Sequence, residues 1–181
     1  MEMTEVQIRP YVAEDAALLY AAARESHADV FPWLEWCHAE YKLEEAKAWT
    51  EARPRLFAEG VCYDFVIVDS AGAFLGACGL NQVNRVHRFA NLGYWVRASA
   101  AGRGVAPAAI RRVVRFAFTE TDLVRLEIVC AMGNTRSQRA AEKAGASREG
   151  VLRARLLVHG RPHDAVMYSI VRAAWKAQPI S

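Results

Sequence analysis

Two glycines, Gly102 and Gly104, stand in the run Ala101-Gly102-Arg103-Gly104-Val105-Ala106, where an apolar strand-like segment hands over to a helix-like one. Glycine at such a handover lets backbone N–H groups turn inward with no Cβ in the way. The unpaired N–H groups and positive dipole end of the following helix then make an anion site. The alternative is purely structural, because glycines serve tight strand-to-helix turns in many proteins. Two other phosphate loops are excluded: the chain has no G-x-x-x-x-G-K-[ST], and Pro107 holds the place of the third glycine of G-x-G-x-x-G. A nicotinamide-binding fold is excluded too, since hairpin-spaced strands precede the turn where parallel βαβ units are required.

Further along, Asn134 precedes a helix-like segment and Ser137 falls in its first turn. Asn134 can cap that helix or bond a ligand arm with its side chain, and the Ser137 hydroxyl can cap or face the same ligand. Glu35 lies in Phe31-Pro32-Trp33-Leu34-Glu35-Trp36, and His87 lies in a polar bend; both are candidate bases. The competing reading packs Trp33 and Trp36 as core, solvates Glu35 and leaves His87 on the surface.

The elements that must position these residues follow from periodicity. Val6-Gln7-Ile8-Arg9 alternates as a short strand ended by Pro10. Helical spacing covers about residues 14–24, with Glu14 and Asp15 at the favoured end of the dipole, and again about 43–57. Strand-like runs follow at 63–68, 74–80 and 89–96; Asp69-Ser70-Ala71-Gly72 is a hairpin turn, and a long polar bend spans 81–88. The second half reads as a helix at 104–119, a strand at 123–130, a helix at 135–144 stopped by Gly145, and strands at 150–158 and 165–171 around a His159-Gly160-Arg161-Pro162 turn. The fold class is α/β of the α+β type, with a mixed, largely antiparallel sheet of six or seven strands flanked by helices.

The 181 residues, 53% of them apolar, are enough for one domain (1–181) with a full core. Cys37, Cys62, Cys78 and Cys130 are scattered and read as reduced, mostly buried thiols. No apolar run reaches a membrane span, the acidic start is unlike a secretory signal, and a cytoplasmic location is expected. Only the first few residues and those after Trp175 read as loose ends. The net charge of +3 hides an asymmetry: residues 1–69 hold 14 acids and 6 bases, whereas residues 70–181 hold 6 acids and 17 bases. A basic second segment suits a polyanion, either a phosphate-bearing cofactor or nucleic acid, and an acidic first segment suits a cationic substrate. The arginines are spread rather than clustered, and no nucleic-acid recognition motif accompanies them, so direct nucleic-acid binding is not expected.

The glycine turn resembles motif A of the GNAT superfamily of acetyltransferases, [QR]-x-x-G-x-[GA], with Gly104 and Ala106 matching and Ala101 departing from the Gln or Arg. Asn134-x-x-Ser137 and Ala141-Glu142-Lys143-Ala144-Gly145-Ala146 are similar to the second block of that superfamily, in its order and spacing. The Gly93-Tyr94-Trp95 strand and the final hairpin resemble the branch containing the ribosomal-protein N-terminal acetyltransferases. The resemblance runs from Ile8-Arg9-Pro10 to the last strand.

It implies splayed central strands and acetyl-CoA as cosubstrate, without metal. The cofactor arm would pair with main-chain groups near Trp95 and Val96, its pyrophosphate would rest on amides from Ala101, Gly102, Arg103, Gly104, Val105 and Ala106, and Asn134 would bond the arm. Ser137 would be the general acid for the departing thiolate. Positions that carry an acid in some relatives are Asn91 and Leu156 here, which leaves Glu35 as the weak candidate base, or a water chain. The resemblance implies direct acetyl transfer to a primary amine in a ternary complex, such as a protein N-terminal α-amine, and a homodimer. Three alternatives stay open: a CoA-binding sensor without turnover, a small-amine or antibiotic acetyltransferase, and a nucleic-acid module.

Overall fold

The computed structural model describes residues 5–175. The loose ends expected at both termini fall mainly outside that range. Seven strands form one sheet in the order β1-β2-β3-β4-β5-β7-β6, with β1 at Val6–Pro10, β2 at Tyr63–Asp69, β3 at Phe74–Asn84, β4 at Phe89–Val96, β5 at Arg125–Ala131, β6 at Ser147–Val158 and β7 at Arg161–Val171. Every pairing is antiparallel except β4 with β5. The expected class and strand number hold. Pro10 closes β1, an edge strand, where its missing N–H costs no ladder bond.

Helices cover both faces. On one face lies α3 (Val105–Glu120), which buries Val105, Ala109, Ile110, Val113, Val114, Ala117 and Phe118 along a single stripe of helical period. Beside it runs α4 (Thr135–Lys143). On the other face lie α1 (Ala16–Val30) and α2 (Leu43–Ala58). The strand period of two sorts β2 between the layers: Phe65 and Ile67 join the α3 core, while Val66 and Val68 join the α1/α2 core. With both faces covered, Phe65–Val68 is a continuous buried apolar run.

Three boundaries differ from the sequence reading by four residues or more. The first helix continues to Val30 because Ser26 and Val30 are buried and Glu25 and Ser26 hold the segment after β4. Asp15 is bonded to Arg9 at 2.6 and 2.7 Å and to the Val12 N–H, closing a 3-10 turn ahead of that helix. The polar bend shrinks because β3 continues to Asn84 past an irregularity at 81–84, where Gln82 takes φ 50°. The last turn is only His159-Gly160, since Arg161 already pairs with Val158. All four cysteines are free and buried, and no described helix is long and apolar enough to cross a membrane.

Candidate active site

The site begins where the sheet comes apart. Strands β4 and β5 pair only from Phe89 to Asn91 against Arg125 to Glu127. Beyond that they diverge: β4 stays with β3 as far as Val96, and β5 stays with β7 as far as Ala131. The edges of residues 92–96 and 128–131 that face each other therefore carry backbone groups with no strand partner across the gap. A cavity of about 1110 Å³ occupies this split and runs out over both faces of the sheet.

At the mouth of the split lies the glycine turn. Gly102 and Gly104 have φ of 75° and 78°, left-handed values that cost a side-chain-bearing residue about 1–2 kcal/mol. A Cβ at either would meet nothing within 4 Å, so backbone conformation rather than crowding selects glycine there. Gly104 is the N-cap of α3 and supplies no capping side chain, while Pro107 in the first turn has no N–H to satisfy. The amides of Val105 and Ala106 are thus left to a ligand. Ala101, Gly102, Gly104, Val105 and Ala106 all line the cavity, whereas Arg103 is exposed and outside its lining.

The approach to this turn is stapled to α1. Arg97 donates from Nε to Glu25 at 2.6 Å, the Ser99 N–H donates to Glu25 at 2.9 Å, and the Ala98 N–H donates to Ser26 Oγ at 3.0 Å. The Arg97 guanidinium first, and then Ser99, hold the Glu25 carboxyl at about 2. A carboxyl with a lowered folded-state pKa stabilises above its ordinary value near 4.5 and loses that contribution as pH falls toward 2. Glu149, lowered to about 2 by Arg125, titrates in the same window. Glu25→Gln should therefore remove part of the acid-induced loss of stability between pH 4.5 and 2, leaving the Glu149 part, and raise the acetyl-CoA KM severalfold. Denaturant titrations across that pH range and initial rates at neutral pH read the two effects.

Inside the split, the period of two divides β4. Tyr94 and Val96 face the α3/α4 layer, and Trp95 faces the α1/α2 layer. Trp95 lies edge-on to Trp36, with centroids 5.3 Å apart. On the α4 side Asn134 caps its helix by accepting the Ser137 N–H at 3.1 Å, so the capping alternative is realised while its side chain still lines the cavity. Ser137 Oγ lies 2.9 Å from the Tyr94 hydroxyl and 3.2 Å from Cys130 Sγ. The Tyr94 hydroxyl also donates to the Ser137 carbonyl at 2.8 Å. Burial pushes the Tyr94 phenol well above its ordinary value and the Cys130 thiol up as well, so both stay protonated at neutral pH.

The two positions where some relatives carry an acid, Asn91 and Leu156, line the cavity, and Asn91 donates to Asn81 at 2.9 Å. Glu35 and His87 do not line it. Glu35 accepts the His159 N–H at the tip of the last hairpin, and His159 in turn contacts Phe31 through its ring. That places Glu35 in a clasp between the loop after α1 and the β6–β7 turn, beside Leu34, Trp36 and Val158, which do line the cavity. Sequence reasoning passed over Tyr94, although it lies within the Gly93-Tyr94-Trp95 segment; strand alternation alone would have set it opposite Trp95. It also passed over Asp64 and Trp49 on the cavity wall.

The charge asymmetry of the chain is spatial. Among the described residues, every acid lining the cavity (Asp29, Glu45, Asp64) comes from the first 64 residues, and every base (Arg136, Arg139, Lys143, Arg155) from the last third. The bases lie on α4 and β6, and Glu45 and Asp64 lie on the α1/α2 side among Tyr11, Trp36, Tyr41 and Trp49, while Asp29 and Arg136 meet between the two at 2.9 Å. A polyphosphate with an apolar arm fits the first end, and a cationic amine fits the second.

Comparison with known proteins matches residues 5–147 to the family described as Acetyltransferase (GNAT) domain. A Bacillus subtilis protein named "Putative ribosomal N-acetyltransferase YdaF" is 34% identical over 119 residues, 66% of this chain and 61% of that protein. Mycobacterium smegmatis RimJ in complex with CoA-disulfide superposes with a TM-score of 0.85 at 26% identity, over 93% of this chain and 82% of that one. The ribosomal-protein-S5-alanine acetyltransferase of Vibrio fischeri shares the fold, with a TM-score of 0.85 at 20% identity over 98% of each chain.

Proposed function

The chain belongs to the acetyltransferase (GNAT) domain family, and on that premise we propose that it transfers an acetyl group from acetyl-CoA to the α-amine of a protein N-terminus. The observation that carries this reading is the opening between β4 and β5 beside the glycine turn, with Ser137 on one side of the sheet and an acid- and aromatic-lined pocket on the other. Val105 and Ala106 amides would hold the pyrophosphate, Arg136, Arg139 and Lys143 would add positive charge, and the free backbone edge near Trp95 and Val96 would pair with the cofactor arm. Acetyl-CoA supplies the activated acyl group.

The chain's own residues then have divided tasks. A backbone N–H on the open edge of β4 stabilises the developing oxyanion. Ser137 gives its hydroxyl proton to the departing thiolate sulfur, and Tyr94 holds Ser137 in place from its hydroxyl and carbonyl together. No lining carboxylate faces the split from β4 or β5. An α-amine needs little help, because about a tenth of it is neutral at pH 7, against a few parts in ten thousand for a lysine amine. A water chain past Asn81 and Asn91 takes the proton that the amine nitrogen sheds, and Ser137 regains a proton from solvent, so the serine is restored.

The reading is tested by thiol release from acetyl-CoA with N-terminal peptides, the same peptides α-blocked, lysine peptides and polyamines. Release confined to free α-amines, with the acetyl group located there by mass, is the expected result. Release only with small amines moves the acceptor class, and binding without release makes the chain a sensor.

A further inference from the structure

On the α1/α2 face, three residues lie in one row across the sheet: Asp64 on β2 opposite Gly79 on β3, and Gly79 opposite Gly93 on β4. Two adjacent glycines in a row leave a floor with no side chains. The floor begins under a carboxylate and ends at the split, and all three residues line the cavity. Gly79 has no alternative, because a Cβ there would lie 2.6 Å from Asp64 Oδ1 and 2.7 Å from the Tyr63 carbonyl oxygen. The carboxylate therefore leans over the floor itself.

Asp64 is the most enclosed of the three lining acids, with its side chain 14% exposed, against 49% for Asp29 and 44% for Glu45. Asp29 is bonded to Arg136, and Glu45 caps α2 while pairing with His38. Arg53 reaches Asp64 Oδ2 at 3.0 Å and stacks 3.8 Å above the Trp49 ring. This clamp fixes the carboxylate and leaves Oδ1 over Gly79; an ionised carboxylate accepts several hydrogen bonds at once.

Two strand spacings, about 10 Å, separate the Asp64 backbone from β4; Oδ1 over Gly79 reaches about one spacing closer, with the split lying beyond β4 again. The carboxylate thus stays too far from the split for direct proton transfer, which needs roughly 2.6–3.2 Å or one bridging water. The two spacings are also the length of about three extended residues. Building on the proposed α-amine reading, we infer that Asp64 is the residue that selects the acceptor. A peptide N-terminus runs over Gly93 toward the carboxylate above Gly79, its α-amine at the split, and Asp64 binds a lysine or arginine side chain at the second or third residue. Asp64 is thus a specificity-determining residue and not the base. Trp49, Trp36 and Tyr41 flank the aliphatic stem of such a side chain.

The test compares two peptides that differ only by lysine or norleucine at residues two and three, with wild-type protein, Asp64→Asn and Arg53→Gln. Wild type should favour the lysine peptide by about tenfold or more in kcat/KM, through KM, and Asp64→Asn should erase the preference while keeping kcat, the acetyl-CoA KM and the norleucine-peptide rate. Arg53→Gln breaks the clamp but keeps the carboxylate, so it should retain the lysine preference; its loss there would reduce Asp64 to a structural partner. Equal use of both peptides by wild type, or a fall in kcat with a moved pH profile in Asp64→Asn, overturns the assignment while leaving the α-amine reading intact. Transfer to neither peptide overturns both.

Discussion

Ser137→Ala should lower kcat for acetyl transfer by about a hundredfold, with the acetyl-CoA KM nearly unchanged. General acid catalysis contributes roughly a hundred- to ten-thousandfold. The low end applies because a thiol has a pKa near 8.5, so its thiolate already leaves readily at neutral pH. A hundredfold is about 2.7 kcal/mol of transition-state stabilisation. The geometry adds a comparison the sequence did not offer. Tyr94→Phe removes the donor to the Ser137 carbonyl and the neighbour of its hydroxyl, so it should cost about tenfold through positioning. Single-turnover rates for both variants decide the order. A larger loss in Tyr94→Phe would make the phenol the acid, and an unchanged rate in Ser137→Ala would remove the serine from the chemistry.

The second large effect is a contrast within one row of the sheet. Gly79→Ala places a methyl 2.7 Å from the Tyr63 carbonyl oxygen and 3.0 Å from the Asp64 Cα, which are backbone atoms of a paired strand and cannot swing aside. Overpacking of this kind costs about 1–3 kcal/mol, or a fall in Tm of about 2–12 °C for a chain of this size. Gly93→Ala, in the same row, meets only the amide nitrogens of Asn81 and Asn91 at 3.6 and 4.0 Å. Its stability should stay within about 0.5 kcal/mol of wild type, while the methyl on the floor raises the acceptor KM. Calorimetry and acceptor saturation curves separate the two. A Tm drop in Gly93→Ala like that in Gly79→Ala would mean the floor has no free space.

Much of the fold was legible because its cues are local. The amphipathic stripe of α3, the Gly145 stop after α4, and the apolar run of β2 are each written within a short stretch of chain. Boundaries slipped where distant partners extend an element: α1 reaches Val30 through contacts with residues 97–99, and β3 reaches Asn84 by pairing with Phe89. In the same way Glu35, plausible by neighbourhood, lies against His159, 124 residues away.

The proposed donor half of the site is legible in local sequence. A left-handed glycine turn before a helix, and an asparagine that caps the helix carrying Ser137, owe their form to backbone conformation and capping, which act over a few residues. The acceptor half was decided only by the tertiary structure. Asp64, Gly79 and Gly93 come from three strands, and Arg53 and Trp49 from a helix. Nothing in their spacing along the chain marks them. They form a floor with a charged end because sheet register aligns them, and register is a property of pairing between strands, not of any one segment.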